Sequence, residues 1–248
     1  MPTKLRTKLF FAAGALLALA AHADSGKTAF NLPPSADLQY AIKAKQSGLS
    51  LSGDASVKWH VSGPAGEQKY SVITETRAML VGKILDASSV GSIDGYGLAP
   101  EKFVEKRFRK GESTTTFDRS SKQIGFTESA EHYPIKGGEQ DRTSATWQLI
   151  ALARAAGDKF KPGSEWKFLV AGRRDADPWS FKVVAQENLS TAIGELATVH
   201  VVKAPPADSK DQQLDLWLAP SLEWYPVRVK FQDADGDYVD QLISNIKK

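Results

Sequence analysis

One stretch of this chain is built to be a helix, and it constrains everything around it. Residues 137–157, GGEQDRTSATWQLIALARAAG, set Ala145, Leu149, Ile150, Leu152 and Ala153 at helical spacing, with Trp147 flanking the stripe. Asp141 carries the short side-chain oxygen that accepts from an orphan N–H one turn on, so it is the expected N-cap. Arg154 in the last turn suits the negative end of the helix dipole, and Gly157 follows at C′. The predicted helix covers 142–156. So wide an apolar face must be buried against something, and the rest of the chain offers only strands.

Alternation of apolar and polar residues marks those strands at 38–45, 49–61 and 70–78. A more apolar run over 79–93 is interrupted by Gly82 and Gly91, which predicts bending or bulging. Residues 94–100, DGYGLAP, read as a glycine-rich connection. Further strands are expected at 103–109, 113–118 and 123–127, then a loop over 129–140 that delivers the helix. After the helix come 166–171, 179–186, 196–202, 214–218, 225–232 and 238–246, with a polar loop at 203–212. About a dozen short strands separated by turn signals predict a mainly β protein. The expected fold is a curved antiparallel meander or partly open barrel, with its one central helix inside the curve or capping the open side. Residues 24–36 read as a flexible leader and 37–248 as a single β-rich domain.

The first 23 residues have the organisation of an export signal. Lys4, Arg6 and Lys8 form a positive region, 9–20 is apolar but too short to span a bilayer, and Ala21-His22-Ala23 is an A-x-A cleavage site. Cleavage is expected after Ala23, and a bacterial periplasm is the expected location. Those three cations account for the net charge of +3; beyond them basic and acidic side chains are equal at 29 each. The apparent basicity is therefore no argument for nucleic acid. The chain has no cysteine, which excludes disulfides, thiol nucleophiles and a cysteine-anchored lipid.

Several strings recur in a recognisable order: Gly97-Leu98-Ala99-Pro100 followed by Phe103 and Arg107; Phe117-Asp118-Arg119; Gln140-Asp141-Arg142; and Leu214-Asp215-Leu216-Trp217-Leu218-Ala219-Pro220 followed by Pro226-Val227-Arg228. Together they resemble the exported bacterial family called domain of unknown function 3108, over nearly all of the chain beyond the signal. The resemblance implies a curved, partly open β-structure similar in outline to the half-barrels of periplasmic lipoprotein carriers, which hold acyl chains between a sheet and plugging helices. It implies no catalytic residues.

The sequence supplies no recognisable catalytic set. His60, His132 and His200 lie far apart, with no metal-type spacing to carboxylates. In 233–237, DADGD, glycine stands fourth rather than sixth, which fits a hairpin turn and not a calcium loop. No G-x-S-x-G elbow or glycine-rich phosphate loop is present. Glu101 with Glu105, and Asp175 with Asp177, read as solvated surface rather than as acid–base pairs. No catalytic residue, metal or cofactor is expected.

Binding has better candidates. Asp118-Arg119 and Asp141-Arg142 are expected to meet where the helix start packs on the sheet edge, in a structural role. Arg173-Arg174 and Arg228 are the forked donors available to an anionic head group, although solvated cations are the ordinary role of such residues. Trp147 and Ile150 would line an apolar groove beside the helix. Trp217 and Trp224 flank a strand connection and offer a platform for sugar or lipid. The leading expectation is a non-enzymatic envelope protein that binds a lipid-like or other hydrophobic ligand in the half-barrel groove. The alternatives are an assembly module binding envelope polysaccharide or another envelope protein, and, less favoured, a hydrolase of envelope polymers.

Overall fold

The computed structural model describes residues 27–79, 81–205 and 212–248. The predicted export signal, with its cleavage site after Ala23, lies outside them. The described chain forms β1 (Ala36–Gln46), β2 (Leu49–Ser62), β3 (Lys69–Ala78), β4 (Gly82–Asp94), β5 (Gly97–Arg107), β6 (Glu112–Asp118), β7 (Gln123–Phe126), β8 (His132–Pro134) and β9 (Gln140–Asp141). Helix α1 (Ser144–Ala156) follows, then β10 (Glu165–Ala171), β11 (Ala176–Thr191), β12 (Gly194–Lys203), β13 (Gln213–Ala219), β14 (Tyr225–Gln232) and β15 (Tyr238–Lys247).

All fifteen strands join one sheet in the order β8-β7-β6-β5-β4-β3-β2-β1-β15-β14-β13-β12-β11-β10-β9. Every neighbouring pair is antiparallel except β9 with β10. The meander is thus a single ribbon whose two chain halves meet at β1 and β15. Gly91 lets β4 and β5 approach: a Cβ there would lie 2.2 Å from the Ala99 carbonyl oxygen, and the register slips beside it. Met79 and Val81 lie in the β3–β4 turn rather than at the start of a strand, and Gly97–Pro100 is strand rather than connection. Strand β5 starts early because its backbone finds partners at both edges.

The ribbon curls until its ends touch without closing a backbone ladder. Phe117 and Ile124 of β6 and β7 pack with Ala171 and Ala176 of β10 and β11 in a small apolar cluster. Thr115 Oγ1 donates to the Gly172 carbonyl at 2.7 Å, and Gln140 Nε2 donates to the Leu98 carbonyl at 2.8 Å. From the helix, Gln148 accepts the Leu98 N–H through Oε1 at 2.8 Å and donates to the Tyr96 carbonyl at 2.7 Å. Side chains therefore fasten the seam that a closed barrel would fasten with a ladder.

Helix α1 lies inside the curl, and Leu149, Ile150, Ala151 and Ala153 are wholly buried. Trp147 stacks on Trp59 at 4.5 Å with rings 8° from parallel, and Tyr225 meets Trp147 edge-on at 6.2 Å. Such offset and edge contacts add to the area term that dominates aromatic burial. The helix starts two residues later than predicted. Its N-cap, Thr143, makes no side-chain cap bond, whereas Asp141 in β9 accepts from the N–H groups of Thr143 and Ser144, both at 2.8 Å. Residues 27–35 are held rather than loose: Asn31 N–H donates to the Ala151 carbonyl, and Pro33 and Pro34 carbonyls accept from Trp59 and Tyr225.

Candidate functional site

The buried side of the sheet changes character along its length. Around α1 it is apolar, with Leu38, Trp59, Val72, Phe181, Val201 and Leu216 buried. Across β3–β6 the buried residues include Thr76, Ser89, Glu105, Ser113 and Thr115. Buried polar groups are costly unless paired, so this half of the interior is a polar network that opens at the seam.

The opening is a cleft of about 450 Å³, lined by Arg107, Lys110, Gly111, Glu128, Arg142, Arg173, Arg174 and Asp175. Four segments deliver these residues: the end of β5 with the β5–β6 turn, the β7–β8 connection, the β9–α1 junction, and the β10–β11 turn. Arg173 is the buried anchor at 9% exposure. Its guanidinium forks onto Glu128, and its Nη1 faces Glu105 Oε1 at 3.6 Å, too far for a hydrogen bond, leaving that buried nitrogen without a partner. The hydrogen bond to Glu128 raises the Arg173 pKa, and the same bond lowers that of Glu128. Arg107 Nε donates to Glu105 Oε1 at 2.6 Å. Lys110, Arg142 and Arg174 make no ion pair among the described residues. Five cations thus face two carboxylates in the lining, and a concave surface of one dominant sign focuses its field on the solvent it encloses.

Gly172 gives Arg142 its place. A Cβ on Gly172 would lie 2.8 Å from both Nε and Nη2 of Arg142, so the guanidinium lies directly over that glycine. The arrangement can grip a phosphate or carboxylate between Arg142 and Arg174, since guanidinium forks match such oxygens in pairs.

Asp141, one residue from Arg142, points the other way into the core. Fully buried, it accepts from Ser89 Oγ at 2.5 Å, and Tyr70 Oη lies 2.9 Å from Ser89 Oγ. Burial pushes its carboxyl up to about 6, against the hydrogen bonds from Ser89, Ser144 and Thr143 that favour the anion. The Tyr70 phenol is raised as well, first by its own burial and then by the neighbouring Asp141 charge.

The expected pairing of Asp118-Arg119 with Asp141-Arg142 does not occur. Asp118 closes its own turn by accepting from Ser120 and Ser121, which holds its carboxyl well below the usual range. Arg119 donates to the Pro100 carbonyl and lies 3.9 Å from Asp94. Trp147 and Ile150 lie in the packed core, at 2% and 0% exposure, so a ligand would reach them only by displacing neighbours such as Trp59. Trp217 is clasped between His200, stacked at 4.2 Å, and the Arg228 guanidinium at 4.5 Å. Arg228 forks onto Asp240 at 2.8 and 2.6 Å, remote from the cleft. Trp224 packs edge-on against Phe160 at 5.4 Å, so it forms no shared platform with Trp217. A second cleft of about 410 Å³ is lined by Gln186, Glu187, Asn188, Ala197, Thr198, Val199 and Pro220.

The family model described as a protein of unknown function, DUF3108, matches residues 39–243. The chain belongs to that family. This DUF3108 chain is similar in fold to a β-barrel-like protein of the DUF1849 family from Brucella abortus, at 12% identity and TM-score 0.56 over 88% of this chain and 99% of that one. A weaker similarity, TM-score 0.42 at 10% identity, relates 89% of it to all of a protein with a YmcC-like fold from Bacteroides fragilis. No curated protein sequence matches the DUF3108 chain significantly. Its cleft residues escaped sequence reading in part: Arg173 and Arg174 stood out as an arginine pair, but Lys110 and Glu128 come from turns that only the curl brings together. The strings Gln140-Asp141-Arg142 and Gly97-Leu98-Ala99-Pro100, with the Arg107 that follows, did carry the signal. They mark the seam.

Proposed function

We propose that this protein is a binding protein of the bacterial cell envelope, exported by its N-terminal signal, that grips an anionic group in the seam cleft. The observation that carries the reading is the pair Arg142 and Arg174, which line the cleft and make no ion pair among the described residues, set beside Arg173, whose own charge is held by Glu128 and Glu105. Guanidinium groups without a carboxylate partner, at the mouth of a cation-rich cleft, are matched by the oxygens of an incoming anion. A lipid-like ligand remains the favoured class, held by its charged end at the cleft rather than by its tail beside α1, where the aromatic stack fills the space.

Calorimetric titration with glycerol phosphate tests it. Saturable binding is expected to weaken as salt rises and to fall about tenfold or more in Arg142→Ala, the effect expected for losing a charge-assisted contact. Binding that is absent, or that Arg142→Ala leaves unchanged, overturns the reading.

A further inference from the structure

The cleft opens on a rim with a second, unexplained property. In an up-and-down sheet alternate turns lie at the same end, so the β1–β2, β3–β4 and β5–β6 turns share one rim with the β10–β11 turn and the β9–α1 junction. At this rim large apolar side chains stand in water: Leu49 at 67% exposure, Met79 at 65%, Val81 at 43% and Phe108 at 45%. Successive turns on the rim are two strand spacings apart, about 10 Å. The β3–β4 and β5–β6 turns are neighbours, since the Phe108 N–H donates to the Ile84 carbonyl at 2.8 Å. Exposed turn tips normally carry small or polar residues, and these do not.

Cations gather at the β5–β6 tip, whereas the β14–β15 turn on the same rim sets Asp233, Asp235 and Asp237 beside the β1–β2 turn, where Asp237 accepts the Ser47 N–H at 2.8 Å. Lys106, Arg109 and Lys110 flank Phe108, with the Arg109 guanidinium 5.0 Å over its ring, and none of the three makes an ion pair among the described residues. Arg77 and Lys83 flank the β3–β4 turn but are neutralised by Glu75 and Asp86. The cleft then adds Arg142 and Arg174 at the same end. An apolar tip flanked by such cations, with the exposed Met79 and Val81 on the neighbouring turn, is the chemistry of an anionic membrane interface, where apolar side chains enter the acyl boundary and each Lys or Arg near the surface raises partitioning about fivefold.

We infer that this rim docks on an anionic phospholipid bilayer, with Met79, Val81 and Phe108 entering the interface and a lipid headgroup phosphate occupying the arginine cleft. The headgroup part rests on the cleft reading above; the tips stand on their own exposure and charge.

The test uses the chain recovered after export in a bacterial host, with its N-terminus checked by mass spectrometry. The sequence has no cysteine, so Met79→Cys takes a polarity-sensitive dye at one position. Vesicles of about one third phosphatidylglycerol in phosphatidylcholine are expected to bind about tenfold better than phosphatidylcholine alone, with a blue shift of the dye. Met79→Ser with Phe108→Ser is expected to cut vesicle binding about tenfold while glycerol phosphate still binds the cleft. Equal binding to both vesicles, or double-variant binding equal to the parent's, overturns the docking. So does phosphate binding without vesicle binding, which leaves the cleft reading intact. If glycerol phosphate also fails to bind, both readings fall.

Discussion

Replacing Asp141 by asparagine should abolish the pH dependence that this residue imposes on stability. The carboxyl is fully buried and titrates near 6 when folded, against 3.8 for the free side chain. Between these values the folded chain holds a proton that the unfolded chain has released. Stability therefore falls as pH rises through this window. The whole effect is complete below the lower value and lost above the upper one, and it amounts to about 3 kcal/mol at about 1.4 kcal/mol per unit. Over the accessible range from about pH 4.5 to about 7.5, roughly 2 kcal/mol of it is visible. Asparagine keeps an oxygen for the Thr143 and Ser144 N–H groups and can donate to Ser89 Oγ, so its fold should persist. Urea denaturation of parent and variant across that range isolates the term, because carboxylates with depressed pKa values, such as Glu128, contribute equally to both. The gap between the two should shift by about 2 kcal/mol in favour of asparagine as pH rises. A constant gap would show that the buried carboxyl does not titrate there.

The remaining expectations concern packing and the seam. Trp147→Ala removes the ring stacked on Trp59 and should cost about 3–5 kcal/mol by denaturant unfolding, as large aromatic truncations do; a loss under about 1 kcal/mol would mean that the interior is loosely packed. Gly97 has φ +109°, and its added Cβ would lie 2.3 Å from Gln148 Oε1. Gly97→Ala should therefore cost about 2 kcal/mol or more, measured the same way; a neutral result would separate the glutamine staple from stability. Gly172→Ala should displace the Arg142 guanidinium and weaken glycerol phosphate binding in calorimetry with little change in melting temperature, and unchanged affinity would remove Arg142 from the grip.

The helix was legible because its periodicity is long and glycines bound it; its buried residues include the whole apolar stripe, and also Ser144, Gln148 and Ala151, since the curl encloses it on nearly every side. The strands were legible by alternation, although β11 runs on to Thr191 beyond the expected end at 186. There its polar tail pairs with β12 by backbone alone, which leaves no apolar pattern to read. The short β8 and β9 went unread for a related reason. Two or three residues carry no period, and they pair only because the curl brings an edge within reach. Asp141 was expected as the N-cap, a place Thr143 takes, and the buried partner of its carboxylate is Ser89, 52 positions away. Arg142 and Arg173 meet across the same kind of distance. Contacts that depend on curvature leave no local trace, and the cleft consists largely of them.

Mapping backbone amide shifts while glycerol phosphate is titrated into the isotope-labelled protein tests the central claim most directly. The account predicts saturating shifts that converge on Gly111, Arg142, Gly172 and the neighbouring Arg173–Asp175 turn, from three segments remote in sequence. Shifts centred instead on the Glu187–Thr198 cleft or on the strands around Trp217, or none at all, would contradict it.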